Sequence, residues 1–208
     1  MCSRSCSRWI GVSLYPLVLT SIICNIVLFF PGWDVKYAKE GHITQEVQYF
    51  GGIVGGGLMM LIPAIYFHLA AENGCCGIRS GMFLPILLAA AGAAGGVYSF
   101  VVALLGVYNG PFCGVFGGIW TRPFQKSYFI YLINHTLWAI CSEPENVVQF
   151  NTGLFCTLMA TSCVQVLLCA IQMLNGLVGC LRGACNNKAF YHVNYNPNIF
   201  IAFLCFVL

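Results

Sequence analysis

Long uncharged apolar runs alternate with short polar intervals along the chain. Charged residues fall at Arg4, Arg8, Asp34, Lys36, Lys39, Glu40, Glu46, Glu72, Arg79, Arg122, Lys126, Glu143, Glu145, Arg182 and Lys188. They leave four uncharged runs, at 9–33, 47–71, 80–121 and 146–181. A hydrocarbon core about 30 Å thick is crossed by about 20 helical residues, so each run is long enough to span. The third must stop near Tyr108, because Asn109-Gly110-Pro111 is turn chemistry. Lipid offers the backbone no hydrogen-bond partners, so all four runs are predicted to be helices.

The predicted fold is all-α and integral to the membrane: a four-helix transmembrane bundle with one large disulfide-braced extracellular loop. We place the spans at 10–30, 48–70, 82–107 and 153–179. The segments outside them are an N-terminus at 1–9, a small loop at 31–47, an inner loop at 71–81, the large loop at 108–152 and a tail at 180–208. The apolar end of that tail, 199–208, is too short to cross a bilayer. The first run is too long for a signal peptide, and no small-residue cleavage site follows it, so it reads as a retained anchor. Trp9, Trp33, Tyr49, Tyr66 and Tyr108 mark span ends, as an interfacial aromatic belt would.

Composition narrows the function. Fifteen charges among 208 residues are 7%, where a soluble domain carries roughly 25%. Apolar residues reach 59%. So few charges cannot cover the surface of a water-soluble enzyme, and the chain is too apolar to be disordered. A net charge of +3 without a basic cluster argues against nucleic acid as a partner.

Lys/Arg placement orients the chain. With the N-terminus inside, the short inner segments hold Arg4, Arg8, Arg79, Arg182 and Lys188, and the longer outer loops hold Lys36, Lys39, Arg122 and Lys126. The higher inner density favours both termini in the cytoplasm. Asn134-His135-Thr136 is an N-glycosylation acceptor, usable only on the luminal side. Cys113 and Cys141 are the only cysteines in the two outer loops, and two thiols in an oxidising compartment are expected to pair.

The other cysteines divide by depth. Cys2, Cys6, Cys75, Cys76, Cys180 and Cys185 sit at inner helix ends, where palmitoylation, unmodified thiols and a zinc site compete as readings. The adjacent pair Cys75-Cys76 fits zinc spacing badly, while acylation needs only a thiol beside the bilayer. Cys24, Cys156, Cys163 and Cys169 read as small buried hydrophobes within spans.

Small residues recur four apart in the second and third spans, as Gly51/Gly55, Gly52/Gly56, Ala89/Ala93 and Gly92/Gly96. Such pairs let helix backbones approach closely, either within one bundle or against another membrane protein. The intramembrane polar residues are Asn25, Gln165, Gln172 and Asn175, with His68 near an end. Gln165 and Gln172, seven apart, share a helix face. No Asp, Glu, Lys or Arg lies in the spans as placed, which argues against a pump, a coupled transporter or a voltage sensor. Histidines 42, 68, 135 and 192 form no ligand or catalytic pattern, and no nucleotide-binding loop occurs. No cofactor, metal or catalytic site is predicted.

Taken together, several segments resemble the L-six-antigen branch of the four-transmembrane, tetraspanin-like superfamily. They are Met1-Cys2 with Cys6 and Ile10-Gly11, then Asn25-Ile26-Val27-Leu28-Phe29-Phe30-Pro31. Gly51-Gly52-Ile53-Val54-Gly55-Gly56-Gly57-Leu58-Met59 is similar to the family's second span, and Cys75-Cys76-Gly77 to its inner loop. Gly110-Pro111-Phe112-Cys113, Trp120, Phe124, Tyr131-Leu132, Trp138, Cys141, Glu143-Pro144 and Val147-Val148 follow its large loop. Ala170-Ile171-Gln172 and Asn175-Gly176 resemble its last span. The inner loop is shorter than usual, Phe150-Asn151 stands where the family tends to have Trp-Asn, and the tail departs after Lys188.

The resemblance implies a non-enzymatic plasma-membrane scaffold or adaptor for partner receptors such as integrins, in adhesion, motility and growth signalling. Its partners would be membrane lipids and other membrane proteins, a second copy of the chain included. The alternatives are a passive channel or small-molecule transporter, and a claudin-like junction protein. The claudin reading needs cysteines in the first outer loop, and 31–47 has none.

Overall fold

The computed structural model describes residues 4–73, 84–115, 118–125 and 129–185. Among these, four helices are long and apolar enough to cross a membrane: Cys6–Leu28, Gln45–Ala70, Leu84–Asn109 and Val147–Val178. The first lies within α1 (Arg4–Leu28). After a 3-10 turn at Pro31–Trp33, the small loop forms α2 (Val35–Lys39) and α3 (Gln45–Gln48). A π-helical stretch, Gly51–Leu58, then leads into α4 (Met59–Asn73). The third span is α5 (Leu84–Asn109), and Gly110, at φ 72°, ends it as the turn chemistry requires. The large loop holds β1 (Cys113–Val115), β2 (Ile119–Thr121) and α6 (Ile130–Ile133). Finally α7 (Val147–Cys185) crosses back.

The spanning helices close a ring, with α1 against α4, α4 against α5, α5 against α7 and α7 against α1. One apolar cluster fills the half nearer the N-terminus, with Leu14, Met60, Phe67 and Leu168 buried in it. A second fills the half nearer the loops around Leu28, Val107, Phe155 and Leu158. Glycines permit the close approaches. A Cβ on Gly55 would stand 2.5 Å from the Gly95 carbonyl oxygen, and one on Gly52 2.6 Å from that of Ser21.

The second span does not run as one regular helix. Phe50 adopts a left-handed backbone (φ 50°), so a new helix begins at Gly51, below the small loop. Its first turn has N–H groups without intrahelical acceptors. Asn25 on α1 meets this need, its Oδ1 accepting from the Ile53 N–H at 3.1 Å. Farther along, Gln165 on α7 donates through Nε2 to the Gly56 carbonyl at 2.9 Å. Two intramembrane amides thus stitch a π-helix, a weak and wide geometry, to its neighbours on both sides.

Candidate functional site: a head built from the two loops

The large loop is ordered by a backbone ladder. β1 pairs antiparallel with β2, with Cys113 opposite Thr121. On its other side the Gly114 N–H donates to the Glu143 carbonyl, and the Ser142 N–H donates to the Gly114 carbonyl, both at 2.9 Å. That second pairing brings Cys141 beside Cys113. Their Cα atoms are 5.6 Å apart and the sulfurs are bonded, 28 residues apart in sequence. The paired cysteines expected from the sequence are therefore joined in the structure.

The bond sits on a small core of its own, in which Cys113, Phe124, Tyr131, Val147 and Val148 are buried. Val147 and Val148 belong to the first turn of α7, so the last span projects into the loop and anchors it. The Phe124 and Tyr131 rings stack at 4.7 Å. The Tyr131 hydroxyl donates to the Val107 carbonyl on α5, and Trp138 Nε1 donates to the Tyr131 carbonyl at 2.7 Å. Burial pushes the Tyr131 phenol up to about 12, because ionising it would put an unsolvated anion in this core.

The small loop is latched onto the large one. Glu46, on α3, accepts from both guanidinium nitrogens of Arg122, at 3.0 and 3.2 Å, and from Asn109 Nδ2 at 2.7 Å. Its side chain is 5% exposed and that of Arg122 14%. A bidentate pair with a third donor compensates a carboxylate that has been taken out of water. Above it, His42 stacks on Trp120 at 3.9 Å with an interplanar angle of 5°, and Tyr37 and Phe112 flank the same indole. The Glu40 carboxylate lies 3.3 Å from His42 Nδ1. From the sequence Asn109 reads only as turn chemistry and Glu46 and Arg122 only as loop charges, and nothing joins the three. The available signal was one acidic and one basic residue, each beside an uncharged run, in different loops of the same side.

The remaining predicted residues scatter. Asn134 is exposed at the start of a 3-10 turn, and its Oδ1 accepts from the Thr136 N–H at 3.2 Å and its hydroxyl at 2.5 Å. Gln172 donates to Ser7 Oγ at 3.1 Å, Ser162 to Ser99 at 2.8 Å and Ser21 to Thr161 at 3.3 Å. Asn25, Gln165 and Gln172 therefore lie at three levels of the bundle, each bonded across helices. Gly51 and Gly55 face α5, whereas Gly52 and Gly56 face α1. Gly92 meets Pro63 and Cys169, and Gly96 meets Val166. These glycines pack inside the bundle. Gly95 and Gly106, not singled out from the spacing, approach Gly55 and Phe155.

Cys24 and Cys169 are buried, but Cys156 and Cys163 are exposed. The expectation that all four are buried is corrected for that pair: seven residues apart, they share the outward face of α7. Cys6 is half-buried against the cluster around Leu14. Cys180 and Cys185 lie on the last turns of α7, where only the backbone is described. Cys2, Cys75, Cys76 and the tail end 199–208 lie outside the described residues.

A family profile described as L6 membrane protein matches residues 1–186. The chain is 40% identical over 196 residues to Transmembrane 4 L6 family member 1 of Mus musculus, covering 90% of this chain and 97% of that relative. It is 41% identical over 193 residues to Transmembrane 4 L6 family member 4 of Mus musculus, covering 89% and 94%. To Transmembrane 4 L6 family member 5 of Bos taurus it is 38% identical over 193 residues, covering 90% and 97%. No solved structure matches. With four spanning helices, a disulfide-braced loop and a profile match along nearly its whole length, the chain belongs to the L6 membrane protein family.

Proposed function

We propose that the protein is a non-enzymatic multi-pass scaffold or adaptor that organises partner receptors, of the integrin kind, in the plasma membrane. In this reading both termini are cytoplasmic and the latched head faces outward. The observation that carries it is the head's surface. Its core hides Phe124 and Tyr131, yet Ile133 is 86% exposed and Ile119 65%. Large apolar side chains held outward on a cross-linked support can anchor a partner without the cost of ordering the loop. The intramembrane amides support the same reading, because Asn25, Gln165 and Gln172 donate or accept between helices. Bonds of that kind fix the helices against one another, which is what a rigid support for the head requires. Acylation at the inner cysteines and a glycan on Asn134 belong to this reading, the first biasing the protein toward ordered lipid and the second marking the outer face.

The test is proximity labelling of the tagged, full-length protein in living cells, followed by recovery in gentle detergent. The double variant Ile119→Ser/Ile133→Ser, shown by non-reducing mass mapping to keep its disulfide, is expected to lose a subset of receptor neighbours. An unchanged neighbour set overturns the assignment of the head as the contact surface. Solute flux through reconstituted liposomes above that of protein-free vesicles would replace the scaffold reading with that of a passive channel.

A further inference from the structure

On the flank of the head where α1 leaves the bilayer, a cavity of about 450 Å³ opens between the small loop and the start of α7. Its walls include Trp33, Tyr37 and Phe150, with the carboxylates Asp34 and Glu145 at its edge. We propose that this cavity is an aromatic cage for a quaternary ammonium group, occupied by the choline headgroup of a neighbouring lipid.

The geometry of the walls points there first. The Trp33 and Phe150 rings meet edge-on, 6.1 Å apart at an interplanar angle of 74°, so that the two planes cross at one corner of the wall. Tyr37 closes a third side over Gly32, where the absence of a side chain keeps the floor low: a Cβ there would stand 3.1 Å from Pro144 and 3.9 Å from Tyr37. Aromatic faces carry negative electrostatic potential and attract a cation lying within about 6 Å of the ring centre.

The polar groups select the kind of cation. Asp34 and Glu145 supply two negative charges, and neither Lys36 nor Lys39 lines the cavity. One Asp34 oxygen already accepts from the Lys36 backbone N–H at 2.9 Å. A primary ammonium needs acceptors aimed at each N–H, and a cage of ring faces gives it few. A quaternary ammonium has no N–H to satisfy, so it exchanges water for ring faces without leaving a donor unpaired.

The depth selects the source. Trp33 lies five residues beyond the end of α1, and Phe150 lies in the first turn of α7, three residues past Val147, where its apolar span opens. Both rings therefore stand at the loop ends of their spans, the level at which interfacial aromatic residues meet lipid headgroups. Trp33 is 78% exposed at that level, an interfacial position in which a lipid headgroup meets it at high local concentration. The strained backbones of Trp33 (φ 63°) and Asn146 (φ 58°) bracket the opening and hold the two sides in place.

The full-length protein in nanodiscs of phosphatidylglycerol provides the test, with tetramethylammonium chloride as the probe and tryptophan fluorescence as the readout. A saturable change is expected with tetramethylammonium and not with ammonium chloride at the same ionic strength. Trp33→Ala and Phe150→Leu should each weaken it about tenfold, and Glu145→Gln should weaken it less. Near-ultraviolet circular dichroism and the intact disulfide confirm that the variants are folded, and tritiated tetramethylammonium binding replaces fluorescence for Trp33→Ala. In phosphatidylcholine nanodiscs the titration should lie at higher concentration than in nanodiscs of phosphatidylethanolamine, which has the same net charge and no quaternary ammonium, because the choline headgroup competes. An unshifted titration overturns the lipid as occupant and leaves a soluble quaternary ammonium ligand in its place. An equal response to ammonium, or none to tetramethylammonium, overturns the cage. The scaffold assignment rests on the apolar head and is read by its own experiment.

Discussion

At the scale of single residues, a carboxylate at the edge of a bilayer must be compensated, and Glu46 is compensated three times over, by both arms of Arg122 and by Asn109. Removing one partner of a buried pair costs about 3–5 kcal/mol. Arg122 keeps partial access to water, so Glu46→Gln is expected to fall somewhat below that range, at about 2–3 kcal/mol. Glu46→Leu combined with Arg122→Leu should be less destabilised than either single leucine variant, because it leaves no charge without a partner. Thermal unfolding in detergent, followed by tryptophan fluorescence, checks both the loss and the recovery. Tyr131 makes a different, pH-dependent contribution. Its phenol ionises near 12 when folded and near 10 when unfolded. Between those values the unfolded chain gives up a proton that the folded chain retains, so stability falls as pH rises, by about 1.4 kcal/mol per unit. Below pH 10 this contribution is fully present. Tyr131→Phe should flatten the alkaline decline and cost about 1 kcal/mol at neutral pH for the lost bond to the Val107 carbonyl. Denaturant titrations at pH values spanning about 9 to 12 separate the two effects.

At the scale of elements, the spans were legible because lipid leaves only one solution for an uncharged run of this length. The contents of the second span were less legible. Its paired glycines announced close helix contacts, but the π-helical stretch depends on Phe50 turning left-handed, and no residue pattern marks that. Asn25 and Gln165 were visible as rare intramembrane amides. Their partners were not, because both bond to backbone atoms of a helix whose register the sequence does not state. The tightness of this region yields a graded prediction. Gly55→Ala would set a methyl 2.5 Å from the Gly95 carbonyl, and Gly52→Ala one 2.6 Å from the Ser21 carbonyl, so neither neighbour can yield without moving a helix. Each should cost about 1–3 kcal/mol, the usual range for overpacking. Gly153→Ala meets nothing within 4 Å and should be neutral or stabilising by about 0.5–1 kcal/mol, since alanine favours the helix. Comparative unfolding of the three variants in one detergent orders them. A Gly55→Ala protein as stable as Gly153→Ala would contradict the close approach of the second and third spans.

At the scale of the whole molecule, the transmembrane ring and the head are coupled, because α7 supplies Val147 and Val148 to the loop core, α5 supplies the Val107 carbonyl, and α3 supplies Glu46. The head is therefore a continuation of the bundle, cross-linked a few residues from the ends of α5 and α7. Two cysteines alone in the outer loops foretold that cross-link, whereas the latch was hidden because its members lie 76 residues apart, in loops that look independent. The bond closes 28 residues, worth about 3–4 kcal/mol of loop entropy. That is comparable to all that so small a core can supply. Cys113→Ser and Cys141→Ser should therefore each unlatch the head, expose Phe124 and Tyr131, and cause retention in the endoplasmic reticulum. The double variant should be no worse, since either substitution already opens the loop. The readout is surface delivery together with glycan maturation at Asn134, which stands exposed on the same loop and reports the compartment. Wild-type protein should carry a complex glycan that Asn134→Gln removes, and the cysteine variants an immature one. A wild-type protein at the surface with no glycan and both thiols reduced would place this loop in the cytosol and invert the topology. Mature glycans on the cysteine variants would instead show that the latch and the core hold the head without the bond.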